Sequence, residues 1–129
     1  MATTPIMVAA TLTLCTAACG DSSGPVCLPV ERLAVEVEVR DAQTEELRAD
    51  SARGVAQDGT YTDSLLIVRY LGEDMVPAAL GGALGRPGTY TLRIERTGYQ
   101  LWDTAGVRVL ADECGPVTVH VLARLVPAA

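Results

Sequence analysis

The chain has 129 residues, room for one ordinary domain and not two. Sixteen acidic residues against ten arginines, with no lysine, give a formal net charge of −6. Binding phosphates needs a basic face, so this balance argues against nucleic acid as a partner. The single histidine, His120, rules out any mechanism or metal site that needs two imidazoles.

Residues 6–18 carry no charge and are mostly apolar or small. A permanent membrane-spanning helix takes about 20 apolar residues, so this stretch is too short to be one. It has the length of a signal-peptide core. It ends in Thr16-Ala17-Ala18-Cys19-Gly20, and small residues directly before a cysteine resemble the bacterial lipobox, although Thr16 stands where lipoboxes usually have leucine. The resemblance implies a signal peptide over residues 1–18, cleavage before Cys19 and a lipid on the Cys19 thiol. It also implies an exported protein held in a bacterial cell envelope by a membrane anchor. Cys15 is a poorer anchor, because bulky Leu14 precedes it. The rival reading is an ordinary cleaved signal peptide with an incidental cysteine.

Residues 19–31 then read as anchor and tether, since Asp21-Ser22-Ser23-Gly24-Pro25 has the composition of a flexible linker. Gly20-Asp21-Ser22-Ser23-Gly24-Pro25 is one substitution from the segment around the nucleophile of trypsin-like proteases. That chemistry needs a His base and a buried Asp. In that family both precede the serine, and here no His does.

The body reads as strands. Leu33, Val35, Val37 and Val39 alternate with Ala34, Glu36, Glu38 and Arg40, which predicts a half-buried strand. Residues 41–50 are a polar connection. Residues 51–57 are a weaker strand candidate, closed by the turn pair Asp58-Gly59. Residues 60–71 contain the run Leu65-Leu66-Ile67-Val68, which predicts a strand covered on both faces or packed centrally. Residues 75–84 have no clean period and fit either a short strand or a loop with one helical turn. Gly85-Arg86-Pro87-Gly88 is a turn. Residues 89–96 alternate with Tyr90, Leu92 and Ile94 inward. Residues 105–110 form a short strand with Val107 and Val109 on one face, and Cys114-Gly115-Pro116 is a turn. Val117, Val119, Val121 and Ala123 alternate against Thr118, His120, Leu122 and Arg124 in the last strand. Several short strands separated by turns predict a β-sandwich.

The stretch Gly85-Arg86-Pro87-Gly88-Thr89-Tyr90, followed by Thr97-Gly98-Tyr99 and Gly106-Val107-Arg108-Val109, resembles the C-terminal half of carboxypeptidase regulatory-like domains. Val35-Glu36-Val37-Glu38-Val39-Arg40-Asp41 resembles their first strand, and Asp58-Gly59-Thr60-Tyr61-Thr62-Asp63 their mid-domain turn. The likeness covers residues 32–126 and leaves residues 127–129 as a tail. It implies an all-β domain, a single seven-stranded antiparallel Greek-key-type sandwich of transthyretin-like topology. It also implies a non-catalytic module of an exported protein. The family often has Thr-Gly after its first strand. This chain has Thr44-Glu45, so a locally different turn is expected there.

Candidate chemistry is sparse. Cys27 precedes the first strand and Cys114 the last; in an oxidising compartment the two are expected to pair. Tyr99 and Trp102 flank a turn and can form an aromatic platform for a sugar or peptide, or can cover the end of the core. Glu36 and Glu38 face one way and can ligate a hard cation, but a solvated face is expected. His120 is expected to be solvated or locally hydrogen-bonded. No cofactor or metal site is expected. The expected partners are the membrane and an envelope protein or glycan. A carboxylate-based hydrolase, with Asp and Glu as its only acid–base groups, is the remote alternative.

Overall fold

The computed structural model describes residues 26–129; the expected signal peptide with Cys15, the expected lipidation site Cys19 and the expected tether through Pro25 lie outside the described residues. The described residues are all β, with no helix. In chain order the strands are β1 (Val35–Asp41), β2 (Arg53–Asp58), β3 (Tyr61–Leu71), β4 (Val76–Gly82), β5 (Gly88–Glu95), β6 (Trp102–Val109), β7 (Ala111–Asp112), β8 (Gly115–Pro116) and β9 (Val119–Leu125). Seven of them form one hydrogen-bonded sheet in the order β6-β5-β2-β3-β4-β1-β9, while β7 and β8 make a separate two-stranded ribbon.

Alternation sets which side of each strand is buried. Val35, Val37 and Val39 of β1 and Tyr90, Leu92 and Ile94 of β5 are fully buried in one core cluster, together with Leu80, Ala123 and Leu125. The sheet therefore turns its two halves toward each other. The turning point is β3: residues 61–65 pair with β2, while residues 66–71 pair with β4 after register shifts near Ile67 and Arg69. The two end strands, β6 and β9, are linked at one end. The C-terminal tail pairs with the loop before β6 through a Tyr99–Pro127 bridge and hydrogen bonds from Gln100 N to Val126 O and Ala128 N to Gly98 O. The sheet is thus nearly closed on itself.

Several expectations need correction. The sheet is not wholly antiparallel, because β1 and β9 run parallel. A two-residue period is the same in either direction, so the sequence carries no signal for this. The apolar run in β3 is central in strand order but not covered on both faces: Leu66 is 70% exposed, and Ile67 and Val68 are 38% and 39%. The strand buried on both faces is β4, whose residues 78–82 are all buried. It can be so because they are small. A Cβ on Gly81 would come within 2.9 Å of both Leu33 Cδ1 and Val68 Cγ2, so these side chains lie where a larger residue would stand.

β6 begins at Trp102, earlier than expected. It accommodates an irregularity against Tyr90 and Leu92 with Gly106 at φ +71°, a conformation that costs glycine little. The turn near the end falls at Glu113-Cys114, with Gly115-Pro116 in β8. After β1, Glu45 itself adopts φ +60°, the left-handed conformation a glycine would take. The turn is held by Asp41, whose Oδ1 accepts from Gln43 N at 2.7 Å and Thr44 N at 2.9 Å, and by Arg40 Nη1 donating to Glu45 O.

Candidate functional site

Four surface features stand out among the described residues. The first is a clamp at the start of the domain. Cys27 and Cys114 form a disulfide, with Cα atoms 5.2 Å apart. Beside it Arg32 donates two hydrogen bonds to Asp112, at 2.7 and 3.0 Å, and these hold the Asp112 carboxyl below its usual range. Thr118 Oγ1 donates to Leu33 O nearby. Residues 27–33 are thereby fixed against the β7–β8 ribbon before β1 begins.

The second feature is the corner occupied by Tyr99. Its hydroxyl donates to Asp41 Oδ2 at 2.7 Å and accepts from Arg48 Nε at 3.0 Å; Arg48 in turn pairs with Glu46. Arg96 lies 5.5 Å from the centre of the Tyr99 ring and pairs with Asp50. The hydroxyl is therefore engaged within the fold. Trp102 packs, half-buried, against the core from the start of β6. Tyr99 lines the larger of the two hollows that meet at Arg53 and Glu95, and Trp102 lines neither.

The bond from Tyr99, followed by those from Thr44 and Gln43, holds the Asp41 carboxyl down to about 2. A carboxylate stabilised in this way supports the fold fully above its ordinary value of 3.8, and the support is lost as pH falls from there through about 2. We expect the urea midpoint of the wild-type protein to fall over that window, and Asp41→Asn to flatten this part of the profile. Tyr99→Phe should move the fall to higher pH. Superimposable wild-type and Asp41→Asn profiles would show that Asp41 does not carry the effect.

The third feature is the solvent face of β2 and β5. Here Val55 lies opposite Ser64 on β3 and Arg93 on β5, Gln57 lies opposite Thr62 and Thr91, and Arg53 lies opposite Glu95. Short side chains in the middle and long ones around them leave a hollow of about 420 Å³. It is lined by Arg53, Val55, Gln57, Ser64, Thr91, Arg93 and Glu95, among others. A second hollow of about 630 Å³ meets it at Arg53 and Glu95 and extends to Tyr99 and Leu101. Seven described arginines form ion pairs with carboxylates, but Arg53 and Arg93 make none with a described residue. Sequence reasoning missed this pair. Its only signal there was arginine at outward positions, and the register that joins the two strands is needed to bring them together.

The opposite wall carries a charge ladder. Arg69 bonds Glu36 at 2.8 Å and Glu38 at 3.2 Å, Arg40 bonds Glu38 at 3.0 Å, and His120 Nδ1 lies 2.9 Å from Glu36. Glu36 and Glu38 were expected on a freely solvated face. Their side chains are only 13% and 25% exposed, because Arg69 reaches over them from β3. His120 itself is 70% exposed. Among the described residues no group of three or more His, Cys, Asp or Glu is placed to hold a metal ion. No family model matches the chain, and no curated protein matches it in sequence.

Proposed function

We propose that this chain is a lipid-anchored, non-catalytic module of the bacterial cell envelope: a carboxypeptidase regulatory-like β-sandwich of transthyretin-like topology that holds a partner close to the membrane. The observation that carries this reading is the clamp. Cys27 lies only eight residues after Cys19 and is fastened to Cys114 at the far end of the domain. A lipid on Cys19 would hold the domain within about 30 Å of the membrane, the reach of eight extended residues. A disulfide is at home in the oxidising compartment to which such a signal segment leads. The sandwich reading is supported by the bend at β3, which sets the inward residues of β1 against those of β5. The non-catalytic reading is supported by the single histidine, which is exposed and lies with Nδ1 2.9 Å from Glu36.

Metabolic labelling with palmitate tests the anchor. The wild-type protein should take up label and Cys19→Ala should take up none. A wild-type protein without label, or a labelled variant, overturns the anchor.

A second reading, a carbohydrate- or peptide-binding surface, is favoured by Tyr99 lining the larger hollow. In that reading Tyr99 edges the ligand, while Trp102, which lines neither hollow, supports the wall behind it.

A further inference from the structure

We infer that the hollow over β2 and β5 binds an anionic sugar, a ring bearing a carboxylate or a phosphate, seated between Arg53 and Arg93. This inference rests on the surface itself and holds whether or not Cys19 carries a lipid. The protein has a net charge of −6, and most of its arginines are neutralised by a neighbouring carboxylate. Arg53 and Arg93 are exceptions, and the register makes them diagonal neighbours: Arg53 lies opposite Glu95, two residues along β5 from Arg93. Sheet geometry sets such positions roughly 7–8 Å apart. Two guanidinium groups on one face repel each other, and an oxyanion between them converts that repulsion into charge-assisted, bidentate hydrogen bonds.

The rest of the lining suits a ring with hydroxyl groups. Ser64, Thr91 and Gln57 offer groups that both donate and accept, and Glu95 adds an acceptor at one edge. Val55, half-buried between Ser64 and Arg93, gives an apolar floor for the C–H face of a sugar. About 420 Å³ lies in the usual range for small-ligand sites. An acidic peptide is a poorer fit. Peptides commonly bind a sheet by adding a strand to its edge. Here β2 is already paired with β3 and β5, and β5 with β2 and β6, so their backbone groups are taken.

The test is titration of the full ¹⁵N-labelled chain at low salt with D-glucuronate, glucose 6-phosphate, glucose, inorganic phosphate and triglutamate. Glucuronate or glucose 6-phosphate should move the amide signals of Val55, Ser64 and Thr91 to saturation, and the tighter of the two identifies the charged group. Glucose should leave them in place. R53Q and R93Q should each weaken binding about tenfold or more, and R53K and R93K by less, because charge is kept while the planar fork is lost. R108Q removes another arginine that makes no ion pair with a described residue; it lies outside the hollow, opposite Thr89, and its loss should change nothing. These are exposed positions, so each variant should keep the wild-type far-ultraviolet circular dichroism. The inference is overturned if neither sugar anion moves these signals, or if R108Q weakens binding as much as R53Q. It is also overturned if inorganic phosphate binds as tightly as glucose 6-phosphate, or if triglutamate moves the same signals as strongly as the sugars.

Discussion

Breaking the Cys27–Cys114 bridge, by reductant or in C27A/C114A, is expected to lower stability by about 4–5 kcal/mol. The bridge closes a loop of 87 residues, and the chain-entropy account gives about that figure for a loop of this length. The loop takes in β1 through β7, so almost the whole sheet lies inside it. Small domains have only about 5–15 kcal/mol in total, so the loss is a large fraction of what holds this one together. The neighbouring Arg32–Asp112 pair cannot replace it. Those side chains are 37% and 50% exposed, and exposed ion pairs contribute about 0–1 kcal/mol. At a typical urea dependence of about 1–3 kcal/mol per molar, the midpoint should fall by roughly 1–5 M. Trp102 is the only tryptophan and packs against the core, so its fluorescence reports unfolding directly. The effect resides mainly in the unfolded chain, so the reduced protein without urea should keep a native-like spectrum. Coincident unfolding curves with and without reductant would sink this account.

The strands legible in the sequence were those buried on one face only. β1, β5 and β9 alternate because one side meets the core and the other meets water, and Val35, Tyr90, Leu92, Ile94 and Ala123 were assigned to the correct side. β3 and β4 were legible only in part: β3 is central in the strand order but not covered on both faces, and β4 is a strand, one of the two forms its sequence fits. An apolar run suggests double burial, but burial of a second face needs something to lie over it. In this fold Val68 of β3 and Leu33, just before β1, supply the cover over β4, and the small residues Ala78, Ala79, Gly81 and Gly82 make room. What covers and what is covered depends on register, which a single strand does not encode. The disulfide was legible because the cysteine count and the expectation of export pointed to it without any register. The Tyr99–Asp41 bond, which spans 58 residues, and the Arg53–Arg93 neighbourhood were not, because each exists only once separate strands are aligned.

Tyr90→Ala is expected to be the most damaging single core substitution, at about 3–5 kcal/mol, the usual range for removing a buried aromatic ring. Tyr90 is the largest of the fully buried side chains, and the chain has no phenylalanine that could repack into the space. Its ring meets Tyr61 edge-on, with centroids 6.4 Å apart. Its hydroxyl donates to Arg86 O at 2.5 Å and accepts from Arg86 Nη1 at 3.2 Å. Arg86 lies 4.0 Å over the Tyr61 ring and pairs with Asp58, so the β5 turn and the β2–β3 turn are joined through this one side chain. Tyr90→Phe separates the two contributions. It keeps the ring and removes only the hydroxyl, and should cost about 1–3 kcal/mol through the partners it strands. Urea unfolding of both variants, with the disulfide intact, gives the comparison. If Tyr90→Phe costs as much as Tyr90→Ala, the hydroxyl network rather than the filled core volume holds this end of the sheet. If neither moves the midpoint, Tyr90 is not the centre of the core.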